Sequence, residues 1–159
     1  SENNNDIEID ISSNKITFYI EKLILISKLI DGNFPDYSRV IPNNNNNILT
    51  INRLNLLSAV DRVSTIANEN SPSIKFKLLK NLINLSTINN ENSTATEDIQ
   101  AKYEGNEIEI GFNSKYIMDI LDNLEGEEIN ILFNDNSTPI IAQEISNTDT
   151  IFVLMPMRV

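Results

Sequence analysis

A strand, an asparagine, an amphipathic helix and three further strand-like runs occur twice in that order, and no other feature constrains the fold of this chain as strongly. In the first set, residues 47–51 (NILTI) read as a short strand, and Asn52 can cap a helix running to about Asn68. Leu56, Val60, Val63 and Ala67, with Ala59 and Ile66, recur there at helical spacing. Residues 70–73 (NSPS) stop the helix, and strand-like runs follow at 74–79, 82–88 and about 95–103. After a turn at 104–106 the order repeats. Residues 107–112 alternate as a strand, and Asn113 caps a second helix with Tyr116, Ile117, Ile120, Leu121 and Leu124 on its apolar side. Glu125 and Gly126 end it, and strands follow at 128–134, 139–145 and 150–155. The second set begins about 58 residues after the first, and the repeat is one of pattern, not of identity. Three successive strands after each helix favour antiparallel pairing, and two helices cannot cover both faces of such sheets. The expected fold is α+β: two strand-helix-strand-strand-strand units, antiparallel sheets, and both helices on one face.

The preceding residues follow a different plan. Residues 6–11 alternate acidic and apolar, residues 12–14 turn, and 15–20 and 23–26 read as two more strand segments. A few strands without a helix do not make a core, so residues 1–37 read as the tail end of another domain. The chain also lacks an initiating Met, which points to a cut piece.

Composition narrows the chemistry. With 40% hydrophobic residues the chain can fill a core. Cys and His are both absent, which removes disulfides, thiolate zinc sites and His-dependent nucleophile systems. No apolar run approaches the roughly 18 residues of a membrane span, and residues 1–8 show no signal-peptide pattern. The net charge of -11 repels phosphate backbones at long range, and 12 basic residues among 23 acidic ones do not suit groove-type DNA binding. Asn and Ile each occur 26 times, and the asparagine runs at 3–5 and 43–47 read as compositional drift. No glycine-rich phosphate loop is present. Carboxylates, Lys, Tyr, Ser and Thr remain as catalytic groups; the acids Glu125, Glu127, Glu128, Asp119 and Asp122 are the candidates for a carboxylate hydrolase, and a solvated acidic face explains them better.

Two segments stand out. The C-terminus, residues 152–159 (FVLMPMRV), begins as strand core, but Pro156 must end the strand or sit at an edge. Methionines flank that proline, and Met suits surfaces that accept several shapes; the plainer reading is an apolar terminus tucked into the core. Residues 29–42 (LIDGNFPDYSRVIP) join the two parts of the chain with aromatics and prolines, as a rigid linker or as the wall of a groove.

Taken together, these segments resemble one family, the bacterial beta sliding clamps (subunit beta of DNA polymerase III). The resemblance lies in residues 27–37 (SKLIDGNFPDY), 39–42 (RVIP), 62–64 (RVS), 67–69 (ANE), 107–113 (EIEIGFN) with Tyr116, and 153–159 (VLMPMRV). They fall in family order along nearly the whole chain. The family clamp has three similar domains per chain, and two chains close head to tail into a ring around duplex DNA. The resemblance implies that residues 1–37 close the middle domain and that residues 38–159 are the third, ending at the family's natural C-terminus. It implies a non-catalytic, cytoplasmic processivity subunit of the replicative polymerase, with no cofactor and no membrane role. Its partners would be sequence-independent duplex DNA, the polymerase alpha subunit, the clamp loader, and repair and translesion polymerases. The proteins would dock through Gln-Leu-x-Leu-Phe-like peptides in a pocket between the middle and third domains. Carried over by position, the pocket lining is Pro35, Arg39, Val40, Asn113, Tyr116, Pro139, Val153, Leu154, Met155, Pro156, Met157 and Arg158. Ser71 stands where many relatives carry an aromatic. With part of the middle domain missing, this piece is expected to bind more weakly than an intact clamp and not to close a ring. It would be monomeric or associate through unpaired strand edges. Arg53, Arg62 or Lys115 could supply weak attraction to DNA on an inner surface. A stand-alone peptide-binding adaptor without a DNA role is the alternative.

Overall fold

The computed structural model describes residues 6–33, 36–68, 72–89 and 92–158. The chain forms two units, Ser1–Asp36 and Tyr37–Val159.

The first unit is an antiparallel sheet of β1 (Glu8–Ile11), β2 (Lys15–Ile20) and β3 (Leu23–Lys28) in that order. Ser12 N–H donates to Lys15 O at 2.9 Å and closes the first turn. Glu21 takes φ of +50° in the two-residue turn between β2 and β3, where a left-handed conformation matches the strand twist. Only Thr17 is buried among its described residues, and Ile9, Ile11 and Leu23 through Ile26 are exposed. Three strands without a helix make no core of their own.

The second unit contains β4 (Asn47–Asn52), α1 (Arg53–Ser64), β5 (Ser73–Leu79), β6 (Leu82–Ile88), β7 (Thr94–Gln100), β8 (Ile108–Asn113), α2 (Ser114–Asn123), β9 (Glu128–Phe133), β10 (Ile140–Glu144) and β11 (Ile151–Leu154). Both predicted asparagines cap their helices: Asn52 Oδ1 accepts from Asn55 N–H, and Asn113 Oδ1 from Lys115 N–H, each at 3.0 Å. The first helix ends at Ser64 instead of about Asn68, so Ile66 and Ala67 lie beyond its last turn and are only half-buried. The third strand of the first set ends at Gln100 instead of near Tyr103.

The repeats are not self-contained. One sheet runs β11-β10-β9-β4 and the other β7-β6-β5-β8, so each set lends its first strand to the other set's sheet. Ile51 pairs with Ile129, and Phe76 with Ile110, all antiparallel. The end strands are then joined across the sheets. Lys102, just past β7, exchanges backbone hydrogen bonds with Thr50 on β4, and Met157, beyond β11, donates to Gly111 O on β8 at 2.9 Å. Thr50 and Gly111 each lie two residues before a helix cap. One bridge at each place thus covers part of an end strand's free edge.

α1 packs on α2 and against β5, β6 and β7. The core takes Leu56, Ala59, Val60 and Val63 from α1, Ile117 and Leu121 from α2, and the alternate inward residues of the strands. Phe76 and Phe112 meet edge to face at 5.1 Å between ring centres. Tyr103 is buried against Phe133, and its hydroxyl donates to Asn106 O at 2.6 Å. Burial holds that phenol above its ordinary pKa.

Candidate functional site: the C-terminal segment and its flanking clefts

β11 ends at Leu154, whose side chain is 8% exposed and belongs to the core. Strand alternation sends Val153 and Met155 to the opposite face, and Met155 is 57% exposed. Pro156 has no N–H, so pairing with β10 cannot continue through it. Met157 instead bonds to Gly111, which carries the segment from β10 across to the end of β8. Asn113 follows two residues on, and Tyr116 stands in the first turn of α2 with 57% of its surface exposed. Tyr116 thus leaves the apolar side on which helical spacing had set it, while Ile117 and Leu121 keep to the core.

The other side of the segment is built by the loop between β9 and β10 and by residues 39–45. Ile140 pairs with Leu154, and extending that register by one residue sets Pro139 opposite Met155. Asn45 Nδ2 donates to Pro139 O at 2.9 Å and to Leu132 O at 3.0 Å, and Asn47 Nδ2 donates to Asn134 O at 3.0 Å. Asn45, just before β4, and Asn47, the first residue of β4, therefore tie this stretch to the end of β9 and the loop that follows it. Asp135 shapes that loop. Its Oδ1 accepts from Ser137 N–H and Thr138 N–H, each at 2.8 Å, and from Ser137 Oγ at 2.9 Å. These donors, the backbone ones foremost, hold the carboxyl down to a pKa of about 2.

Two clefts flank the loop. One, of about 240 Å³, is lined by Arg39, Val40, Pro42, Asn43, Asn44, Asn45, Asn134, Thr138 and Pro139. The other, of about 480 Å³, is lined by Glu109, Gly111, Asn136, Ser137, Met157 and Arg158. Of the residues singled out in the sequence, Arg39, Val40 and Pro139 share the first cleft, and Met157 and Arg158 share the second. Asn113, Tyr116, Val153, Met155 and Pro156 line neither; they follow the course of β11 and the start of α2. Leu154 supports the segment from the core. Pro35 and Ser71 lie outside the described residues. Sequence reasoning missed Gly111, Asn136, Ser137 and Asn45. The Asp-x-Ser-Thr string at 135–138 did carry a signal, since short polar side chains of this kind fold back on their own backbone.

The basic candidates divide. Arg53 donates to Leu121 O at 2.8 Å and Gly126 O at 3.1 Å, tying the end of α2 to the start of α1. Arg62 pairs with Glu97, whose carboxyl that hydrogen bond pulls below its ordinary pKa. Lys115 is exposed at the start of α2. Among the acids, Glu128 pairs with Lys102, and Glu144 Oε1 accepts from the backbone N–H groups of Glu125 and Gly126. Among the described residues no group of three His, Cys, Asp or Glu is placed to hold a metal ion, and no helix is long and apolar enough to cross a membrane.

Known proteins fit this architecture. A beta sliding clamp from Caulobacter vibrioides is 37% identical over 153 residues, 96% of this chain and 41% of its own length. The DNA polymerase sliding clamp of Pseudomonas aeruginosa, solved with a ligand, superposes with a TM-score of 0.91 at 31% identity, covering 100% of this chain and 43% of that one. A sliding clamp from Bartonella birtlesii, solved bound to griselimycin, gives 0.91 at 38% identity over 96% of this chain and 41% of that one. The chain therefore spans about two-fifths of the length of the relatives it matches. Residues 38–158 match the family described as DNA polymerase III beta subunit, C-terminal domain. This chain belongs to the beta sliding clamp family of DNA polymerase III beta subunits.

Proposed function

We propose that the C-terminal segment and its flanking clefts form a docking groove for short peptides of the Gln-Leu-x-Leu-Phe kind. The observation that carries this is the exposure of large apolar side chains at positions the family resemblance marks: Val40 at 50%, Tyr116 at 57% and Met155 at 57%. Apolar side chains exposed together mark a partner surface, where scattered ones do not. Leu and Phe anchors would pack on Met155, Met157, Pro139 and Val40, and a few such anchors dominate binding energy. Arg39, Asn113 and Arg158 would meet the peptide's polar groups. The sliding clamps captured with a ligand and with griselimycin support a ligand-accepting surface on this fold.

In the full-length protein this groove would serve a non-catalytic processivity factor. Two chains would close head to tail around duplex DNA, hold it topologically and slide without reading sequence. Residues 1–37 would be the closing strands of the preceding clamp domain, and residues 38–159 the C-terminal domain. The 159 residues here would bind peptide without closing a ring. The clients would be the replicative polymerase alpha subunit, the clamp loader, and repair and translesion polymerases. A clamp that encircles DNA needs few tight phosphate contacts, which accommodates the net charge of -11. The setting would be the bacterial cytoplasm.

The test is a titration of a fluorescent Gln-Leu-x-Leu-Phe peptide into the chain and into Tyr116→Ala and Met157→Ala. Saturable binding that both substitutions weaken supports the reading. A flat curve with millimolar protein rejects it.

A further inference from the structure

We infer that Met155 is a modification site at which a hydroperoxide switches the groove off by converting the thioether to its sulfoxide; this rests on the groove reading above. The chain has three methionines and no cysteine, so no thiol competes for the oxidant. The three thioethers are unequal. Met118 on α2 packs against the core, and Met157 is half-buried and tied to Gly111 through its backbone. Met155 is 57% exposed. Oxidation follows access, so Met155 reacts first.

The step balances without any further reactant. A sulfur lone pair attacks one oxygen of hydrogen peroxide; the S–O bond forms as the O–O bond breaks. Sulfur gives up two electrons, and the departing oxygen takes them. The proton lost from the transferred oxygen goes to the leaving hydroxide, which departs as water. The product is a polar sulfoxide on a backbone held from both sides, by the buried Leu154 and by the Met157–Gly111 hydrogen bond. The sulfoxide therefore stays where an apolar anchor would lie. Covering it with a Leu or Phe strips its water and offers no donor in return, which is costly. Reduction of the sulfoxide by a methionine sulfoxide reductase restores the apolar surface.

The experiment treats the chain with graded hydrogen peroxide, follows each methionine by peptide-mapping mass spectrometry, and titrates the same samples with the fluorescent Gln-Leu-x-Leu-Phe peptide. Met155 sulfoxide should accumulate before the other two. Affinity should fall about tenfold or more in step with it and return after reductase treatment. Over the doses that oxidise Met155 in the parent and leave Met157 intact, Met155→Leu, compared with its own untreated sample, should lose none of its affinity. Oxidation of Met118 or Met157 ahead of Met155 overturns the inference, as does unchanged binding by stoichiometric Met155 sulfoxide while the untreated chain binds. Failure of the untreated chain to bind rejects the groove reading, and this inference with it.

Discussion

Arg53→Met tests how the two halves of the second unit are held together. Arg53 is the first residue of α1, and its guanidinium reaches the carbonyls of Leu121 and Gly126 at 2.8 and 3.1 Å. Leu121 O is among the last carbonyls of α2, which have no partner within their own helix. The backbone of Arg53 adds a bond to Glu127 O at 2.9 Å, which the substitution leaves intact. Met keeps the apolar stem and removes the donors. A hydrogen bond from a charged donor contributes roughly 1.5–3 kcal/mol when well buried. Arg53 is half-buried, so the two bonds together are assigned about 2–3 kcal/mol. For a domain of this size that corresponds to a fall in Tm of about 6–12 °C. Thermal unfolding followed by circular dichroism, with a urea series to check that the m value is unchanged, measures it. A Tm within about 2 °C of the parent refutes the tether. So does a normal Tm with weakened duplex DNA binding at low salt, which would return Arg53 to the DNA-facing role considered from sequence.

Three further outcomes follow from the same geometry. A Cβ at Gly105 would lie 2.6 Å from Tyr103 Cζ and closer still to its hydroxyl, so Gly105→Ala should cost about 1–3 kcal/mol in urea unfolding, and an unchanged midpoint would contradict that close approach. Asn45→Ala removes two partly buried hydrogen bonds and should destabilise by about 1–2 kcal/mol, with faster amide exchange in the 134–139 loop. Asp135 has its folded pKa lowered from 3.8 to about 2, so its contribution is present above about pH 4 and is lost as pH falls toward 2. The stability gap between the parent and Asp135→Asn should therefore be constant from pH 5 to 7 and close between pH 4 and 2; a gap that persists at pH 2 contradicts the assignment.

Much of this architecture was readable from local signals. Asn52 and Asn113 announce their helices because a short amide oxygen satisfies free N–H groups at a helix start, two or three positions on. Leu56, Val60 and Val63 mark the inner face of α1 by spacing alone. The exchange of β4 and β8 between sheets was not readable, since alternation reports which face a strand buries and not which strand it pairs with. The role of Arg53 was hidden for a similar reason: its acceptors lie 68 and 73 positions away. The 43–47 run read as drift, yet Asn45 and Asn47 tie the start of β4 to the loop after β9; in a low-complexity stretch nothing distinguishes a working amide from its neighbours. Tyr116 was doubly assigned, to the helix core and to the groove, and its exposure removes it from the core. Leu154 shows the converse, a groove-segment residue whose side chain faces inward.

The central claim is that residues 39–45, the 134–139 loop and the C-terminal segment act as one ligand surface. Backbone amide chemical shifts of the isotope-labelled chain, recorded during titration with a Gln-Leu-x-Leu-Phe peptide, test it residue by residue. Saturable shifts are expected at Arg39–Asn45, 134–138, 153–158 and Tyr116, with strands β6 and β7 unmoved. Shifts confined to β6 and β7, or none at saturating peptide, would contradict it.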